Sequence, residues 1–477
     1  MGKNVGSNEL RSSTLQRILY GLGDVGVNIL WILPSSFLTL YYTDSVGISA
    51  AFIGTMMLFC RLFDGVSDIL MGTIIDKTRT KWGKARPWLL FMGLPLVISV
   101  FLAFSVPLGL STTGQKVYVF ATYFVMTVIC YTAVNLAYHA MLPRFSLTSQ
   151  DRSIVSAIRT IFAMVATIGV MAITPSLIES FGGVKESGAW KAIVLLYGAI
   201  ATVAILITFF GVKEKLQLDT VDTQGEVMKV PLKKGIQVLL ANRYFYISVF
   251  LFLTFYIANG TSGINIYYAR DVLGDANLMG LITLVSLAPM LLAMPFAPVM
   301  FKKMGKRNAM ITGVIISLIT SAITLINPRD LTLFLSMSFV RSIGAVPLAG
   351  ALYTLAGDIV DFNQWKTGVR TEGITTSVNS VGMKLGTGLG SAILGWSLAL
   401  GQYSGSAISQ PASAITAMIV VALVVPIVIN VIALLLLLFW DLERYQPEVT
   451  AYMLEQNKVI PDNKSKNPSQ TILNNNQ

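Results

Sequence analysis

Residues 61–68 read RLFDGVSD, within a stretch that is otherwise apolar from about 48 to 75. A charge at the centre of a membrane helix costs at least ~2.5–3.5 kcal/mol, so it faces an internal cavity and has a task or a partner. Asp64 and Asp68 are four apart and share one helical face. They repel unless something positive lies between them. Na⁺ or a shared proton would serve, since hard cations prefer oxygen ligands. The structural alternative is that Arg61 neutralises Asp64 while Asp68 bonds to backbone. In YGLGDVGVN, Asp24 and Asn28 are also four apart. Asn28 both donates and accepts, which suits a hydroxylated ligand; an interhelical polar contact is the alternative. YTAVNLAYH places Tyr131, Asn135, Tyr138 and His139 in one polar-aromatic stripe, with Thr132 beside it. Rings that stack on C–H faces and amides that bind hydroxyls are what a sugar site needs. His139 is the only histidine, which leaves it no partner histidine for a metal site; hydrogen bonding in a cavity is the simpler role than proton relay. Arg159, Arg341 and Lys384 complete the set, and Lys384 lies among small residues in GMKLGTGLG. It can approach a cation, a ligand oxygen, Asp64 or Asp68.

The elements that carry these residues follow from composition. Of 477 residues, 54% are hydrophobic and only 12% charged, against about 25% charge in soluble domains. Too few charges remain to coat soluble surfaces. A helix crosses a bilayer with about 20 apolar residues, and twelve such stretches are predicted: 19–42, 48–75, 87–108, 117–142, 153–177, 189–211, 239–268, 277–300, 308–327, 331–357, 373–401 and 414–440. No cleavable signal is expected ahead of the first. Cys60 and Cys130 lie in apolar runs and read as buried thiols.

Basic residues follow the even-numbered spans. The segment after the second holds Lys77, Arg79, Lys81, Lys84 and Arg86 against Asp76, and the one after the eighth holds Lys302, Lys303, Lys306 and Arg307. The positive-inside rule then places both termini in the cytoplasm of a multi-pass plasma-membrane (cell inner membrane) protein. It also explains most of the net +11 without nucleic acid. The expected organisation is a six-helix half at 1–211, a cytoplasmic loop at 212–238, a second half at 239–440 and a cytoplasmic tail at 441–477. TKWGKARP and KKMGKRNA, at equivalent places in the two halves, form a weak repeat. The tail is too short for a folded regulatory domain and reads as mobile.

An enzyme is not expected. The sequence offers no metal-ligand cluster, no nucleophile elbow and no phosphate-binding loop, and no resident cofactor is implied. A transporter of amphipathic lipids or drugs is the alternative function, but it would call for a wider and more apolar site.

RLFDGVSD, DKTRTKWGKARPWLL, YTAVNLAY and AGDIVDFNQWKTGVRTEG occur in this order between about Tyr20 and Trp440. Together they resemble the glycoside–pentoside–hexuronide:cation symporter family, which includes melibiose permease. The resemblance implies an all-α major facilitator fold of twelve transmembrane helices and symport of a sugar with Na⁺ or H⁺ by alternating access. It requires no partner beyond sugar, lipid and ion, and the chain is expected to work as a monomer. It places Asp64, Asp68 and Thr132 at the cation site. Asn28, Tyr131, Asn135, His139, Arg159 and Lys384 fall at the sugar site, with Asp24 beside Asn28. Arg61, Asp358, Asp361, Arg370 and Glu372 fall in charged motifs, of which the last four resemble a cytoplasmic gate. Two sugar-site aspartates of melibiose permease are amides here, Asn28 and Asn135, and Phe362, Asn363 and Gln364 replace a commoner Tyr-Gly-Glu. With fewer acids the pocket should be more positive, which brings anionic sugars such as glucuronides level with neutral glycosides. On this reading Asp68→Asn abolishes cation-driven sugar accumulation in vesicles while leaving exchange or binding. Normal accumulation by the mutant would remove Asp68 from the coupling site.

Overall fold

In hydrocarbon every backbone N–H and C=O must be satisfied within the protein, which a helix does within its own segment. The computed structural model describes residues 12–146, 149–214, 237–369, 372–407 and 409–459, and among these no strand occurs. Twelve helical rods run in sequence: α1 (Thr14–Ser45), α2 (Ala50–Lys77), α3 (Arg86–Ala103), α4 (Thr112–Phe145), α5 (Ser149–Ser180), α6 (Ser187–Gly211), α7 (Arg243–Val272), α8 (Leu278–Met304), α9 (Lys306–Thr324), α10 (Leu331–Thr367), α11 (Glu372–Leu400) and α12 (412–438). Among the described residues, ten of the helices are long and apolar enough to cross a membrane. Large apolar side chains such as Ile69, Phe210, Leu292 and Phe439 cover the outside. Cys60 and Cys130 are buried free thiols, as expected.

The rods form two six-helix halves that meet along α2 against α11 and α5 against α8. Several rods are not uniform. Val125–Tyr131 of α4 is a π-helical turn, α7 passes through a 3₁₀ turn at Thr261–Gly263, and α10 is interrupted at Ala345 ahead of Pro347. π turns of this kind gather at functional sites, and this one leads directly into Tyr131 and Thr132.

The weak sequence repeat has a structural meaning. Gly83 and Gly305 both have positive φ, at 108° and 79°, where other residues are strained. A Cβ on Gly83 would lie 2.4 Å from the carboxyl carbon of Glu214, and one on Gly305 would lie 2.5 Å from Glu443 Oε2. Glu214 follows α6 and accepts backbone hydrogen bonds from Lys84, Ala85 and Arg86 at 3.1, 2.9 and 2.7 Å. Glu443 follows α12 and accepts from Arg307 N at 2.6 Å. Each acid caps the N-terminus of the third helix of its half, where amides lack helical partners and negative charge is favoured. The returning interaction is basic. Arg86 Nε donates to Phe209 O at 2.6 Å, and Arg307 donates to Leu437 O and Leu438 O at 3.0 and 2.7 Å. The Gly-Lys turns are thus clasps that tie the third helix of each half to the sixth.

Two boundaries differ from expectation. α10 continues past 357 to Thr367, so Asp358 and Asp361 lie on its last turns rather than in a loop. The tail begins with an ordered segment: Leu442–Tyr445 and Gln446–Val459 are helical. Leu442 and Val449 are buried, and the Tyr445 ring packs 5.5 Å from Phe362 and 5.9 Å from Trp365. These apolar residues recur at helical spacing within a polar segment, which masked them in the composition.

Glu214→Ala leaves three backbone donors without their acceptor, a loss of about 1–3 kcal/mol. Thermal unfolding in detergent should show a lower midpoint, and the double variant with Glu443→Ala should add the two losses because the clasps share no residue. An unchanged midpoint would show that neither clasp bears on stability.

Candidate functional site

Asp64 and Asp68 lie near the middle of α2 and, as expected, on one side of it. Each already has a basic partner. Arg61 Nη1 donates to Asp64 Oδ2 at 2.7 Å, with both side chains largely buried. Lys384 Nζ, from α11, pairs with Asp68 Oδ2 and donates to the Asp64 carbonyl at 2.8 Å. The structural alternative is therefore half met: Arg61 does neutralise Asp64, but Asp68 bonds to a lysine of the other half rather than to backbone. α11 comes this close because Gly388 has no side chain; a Cβ there would lie 2.9 Å from Arg61 Cβ. Ser67 Oγ lies 3.4 Å from Thr132 Oγ1, and Thr132 also donates across the π turn to Thr127 O at 3.3 Å.

A third acid–base pair joins α1 to α5. Arg159 Nε is 3.6 Å from Asp24 Oδ2, and Arg159 Nη1 donates to His139 Nδ1 at 2.6 Å. His139 thus accepts at Nδ1, which fits a hydrogen-bonding residue. Asn28 Nδ2 donates to Asp24 O one turn back at 2.9 Å. Tyr138 departs from the expected stripe. It is fully buried, stacks on Tyr20 with centroids 4.4 Å apart, and exchanges hydroxyl-to-carbonyl bonds with it at 2.7 Å in both directions. It locks α4 to α1. Tyr131 and Asn135 are half-buried, one turn apart on α4.

Trp31 was not singled out in the sequence, although Asp24, Asn28 and Trp31 recur at i, i+4 and i+7 on α1. Its ring stacks on Tyr131 with centroids 4.4 Å apart, and the Arg61 guanidinium lies 4.3 Å above it. Ser67, between the two acids, was missed for the same reason: neither residue type is unusual in a helix.

Two buried polar atoms in this region have no hydrogen-bond partner, the acceptor Asp64 Oδ1 and the donor Arg159 Nε. Native proteins leave few such groups unexplained. The acceptor suits a proton or a small cation, the donor a hydroxyl or ring oxygen. Arg341, on α10, meets Ser338 Oγ at 3.1 Å, with no carboxylate in ion-pair range among the described residues. The surplus positive charge expected of the pocket is not found at Arg61, Arg159 or Lys384, each of which faces an acid.

The expected gate charges behave differently. Asp358 pairs with Lys306 at 2.5 Å within its own half, and Arg144 joins Asp76 at 3.4 Å and Glu214 at 3.7 Å within the other. Arg370 lies outside the described residues, as does the side chain of Glu372, the first residue of α11. Among the described residues, bonds that cross between halves, apart from those of Lys384, gather instead at the face opposite the two clasps. There Arg270 donates to Asp44 at 2.7 Å and to the Tyr403 hydroxyl at 2.6 Å, Tyr403 donates to Asp44 at 2.8 Å, and Thr43 meets Tyr267 at 3.2 Å.

Comparison with known proteins agrees with this architecture. The chain is 31% identical over 458 residues to the isoprimeverose transporter of Lactiplantibacillus pentosus, covering 94% of each. It is 26% identical over 458 residues to the putative glycoside/cation symporter YagG of Escherichia coli (strain K12), covering 94% of this chain and 97% of that one. The crystal structure of the nucleoside transporter NupG superposes with a TM-score of 0.63 at 13% identity, over 90% of this chain and all of that one, which shows the shared fold. The profile described as MFS/sugar transport protein matches residues 19–444. The chain belongs to that family of major facilitator transporters and is a transporter rather than an enzyme.

Proposed function

We propose that the protein is a cation-coupled symporter carrying a neutral, pentose- or hexose-containing glycoside with Na⁺ or H⁺ across the plasma membrane, as a monomer with both termini in the cytoplasm. The observation that carries this reading is a pair of polar atoms without a hydrogen bond beside an aromatic–amide wall: Asp64 Oδ1 for the ion and, for a sugar oxygen, Arg159 Nε, which faces Asp24 only at ion-pair distance, 3.6 Å. Tyr131 supplies a ring face, backed by the Trp31 ring stacked on it, and Asn28 and Asn135 supply hydroxyl partners. Balanced acid–base pairing favours neutral cargo, as does likeness to a transporter named for isoprimeverose. A uronide is the second reading, favoured by the guanidinium of Arg341.

The pairing changes the coupling step expected from sequence. Carboxylate repulsion is not what the ion relieves, because Arg61 and Lys384 already neutralise Asp64 and Asp68. The ion instead competes with the Lys384 ammonium for Asp68, and the displaced lysine turns toward the sugar. Sugar and ion then favour each other's binding by the same factor, as linkage requires. With cross-half bonds at the face away from the termini, the arrangement corresponds to a carrier open toward the cytoplasm. Asp44, Arg270 and Tyr403 part when it opens outward, and Asp358, Asp361, Arg370 and Glu372 gate the other side.

Uptake into vesicles under separate Na⁺ and H⁺ gradients, with radiolabelled isoprimeverose, simple pentosides and a glucuronide, tests the reading. Neutral glycosides should accumulate under one of the gradients and compete with one another. Accumulation of the glucuronide alone would establish the second reading, and gradient-independent uptake would contradict symport.

A further inference from the structure

We propose that Trp31 is a positioning residue that transmits occupancy of the ion site to the sugar wall through Arg61. The proposal rests on the symport reading above and adds the route by which its two sites communicate. Arg61 is shared between two partners on this route, with the buried Tyr123 side chain of α4 a third beside them. Its Nη1 donates to Asp64 Oδ2 at 2.7 Å, while its guanidinium carbon lies 4.3 Å above the Trp31 ring. Trp31 in turn stacks on Tyr131, with centroids 4.4 Å apart and planes 27° from parallel. A continuous chain of contacts therefore runs from Asp64 on α2, through Arg61 and Trp31 on α1, to Tyr131 on α4.

The chain has little slack. Gly388 of α11 lies against the Arg61 stem, where even a Cβ would come 2.9 Å from Arg61 Cβ and 3.1 Å from Cγ, so the guanidinium shifts only among Asp64, the indole face and the Tyr123 hydroxyl. A cation over an aromatic face is held by the ring quadrupole, most strongly over tryptophan and more so when desolvated. When Asp64 takes a proton or a metal cation, its hold on Arg61 weakens and the guanidinium settles onto Trp31. The indole is then pressed against Tyr131, and the aromatic wall is fixed before sugar arrives. With Asp64 free, Arg61 is divided between the two partners and the wall is looser. A contact that rigidifies one site on occupation of another produces positive coupling in this way.

A residue that merely packs changes sugar affinity equally with and without the ion; a coupling residue changes the ratio. The test is calorimetric binding of isoprimeverose and of a methyl glucuronide to the purified full-length protein, with and without Na⁺ at fixed pH, and across pH without Na⁺. Wild type should show an ion-induced gain of roughly fivefold or more. In Trp31→Leu the ratio should fall to within about twofold of one, whatever the ion-free affinity. Trp31→Phe keeps a weaker ring face and should give an intermediate ratio, and this variant carries the test if the leucine variant does not fold. Equal ratios in the folded variants and wild type, or equal loss of affinity in both conditions, would overturn the role of Trp31 and leave symport standing. A wild-type ratio of one with both ions would overturn the symport reading and this proposal with it.

Discussion

Charge neutrality inside the bilayer is the constraint on which the rest of the structure depends. Asp24, Asp64 and Asp68 face Arg159, Arg61 and Lys384, in a region where an unpaired ion is costly. Two of these pairs lie within the first half, and the third joins α2 to α11 across the boundary between halves. A buried pair is weak support for stability, since desolvation offsets much of the attraction. Its value here is that the partners can be exchanged. A proton or cation on one acid frees a base, and a freed base seeks a new oxygen or a ring face.

The scaffold keeps that exchange local. Each half is tied at its termini-side end by its own clasp, Glu214 around the Gly83 turn and Glu443 around the Gly305 turn. The ion pairs described at that end, Lys306 with Asp358 and Arg144 with Asp76 and Glu214, lie within their halves, whereas the opposite end is joined across halves by Asp44, Arg270 and Tyr403. Two internally rigid bodies with breakable links between them are what rocking about a central site requires.

How much of this could be read from sequence depended on how unusual each residue was in its setting. Acids and bases inside apolar stretches are rare, so Asp64, Asp68, Arg159 and Lys384 were conspicuous, and the twelve-helix fold followed from hydropathy. Spacing offered Arg61 as the partner of Asp64, but the partner of Lys384 was not legible: Lys384 and Asp68 are 316 positions apart, and spacing along one helix says nothing about the choice between Asp64 and Asp68. Trp31 and Ser67 were missed because an aromatic or a serine in a helix is ordinary, and the significance of Trp31 comes only from what lies on its two faces. Asp44, Arg270 and Tyr403 fall at helix ends, where polar residues are expected, and only folding brings them together. The tail helix was hidden by its polar composition, and its three apolar contacts become visible once α10 supplies Phe362 and Trp365 as a surface.

The central claim is that the coupling ion and Lys384 compete for Asp68, and the sign of one measurement decides it. Sugar-binding affinity can be titrated against Na⁺, and against pH, for wild type and Lys384→Gln. Competition predicts that removing the ammonium shifts half-maximal stimulation to lower Na⁺ or, for a proton, to higher pH, even if sugar affinity itself declines. A shift to higher Na⁺ or to lower pH, or no shift, would show that Lys384 is not the ion's competitor and would contradict the account.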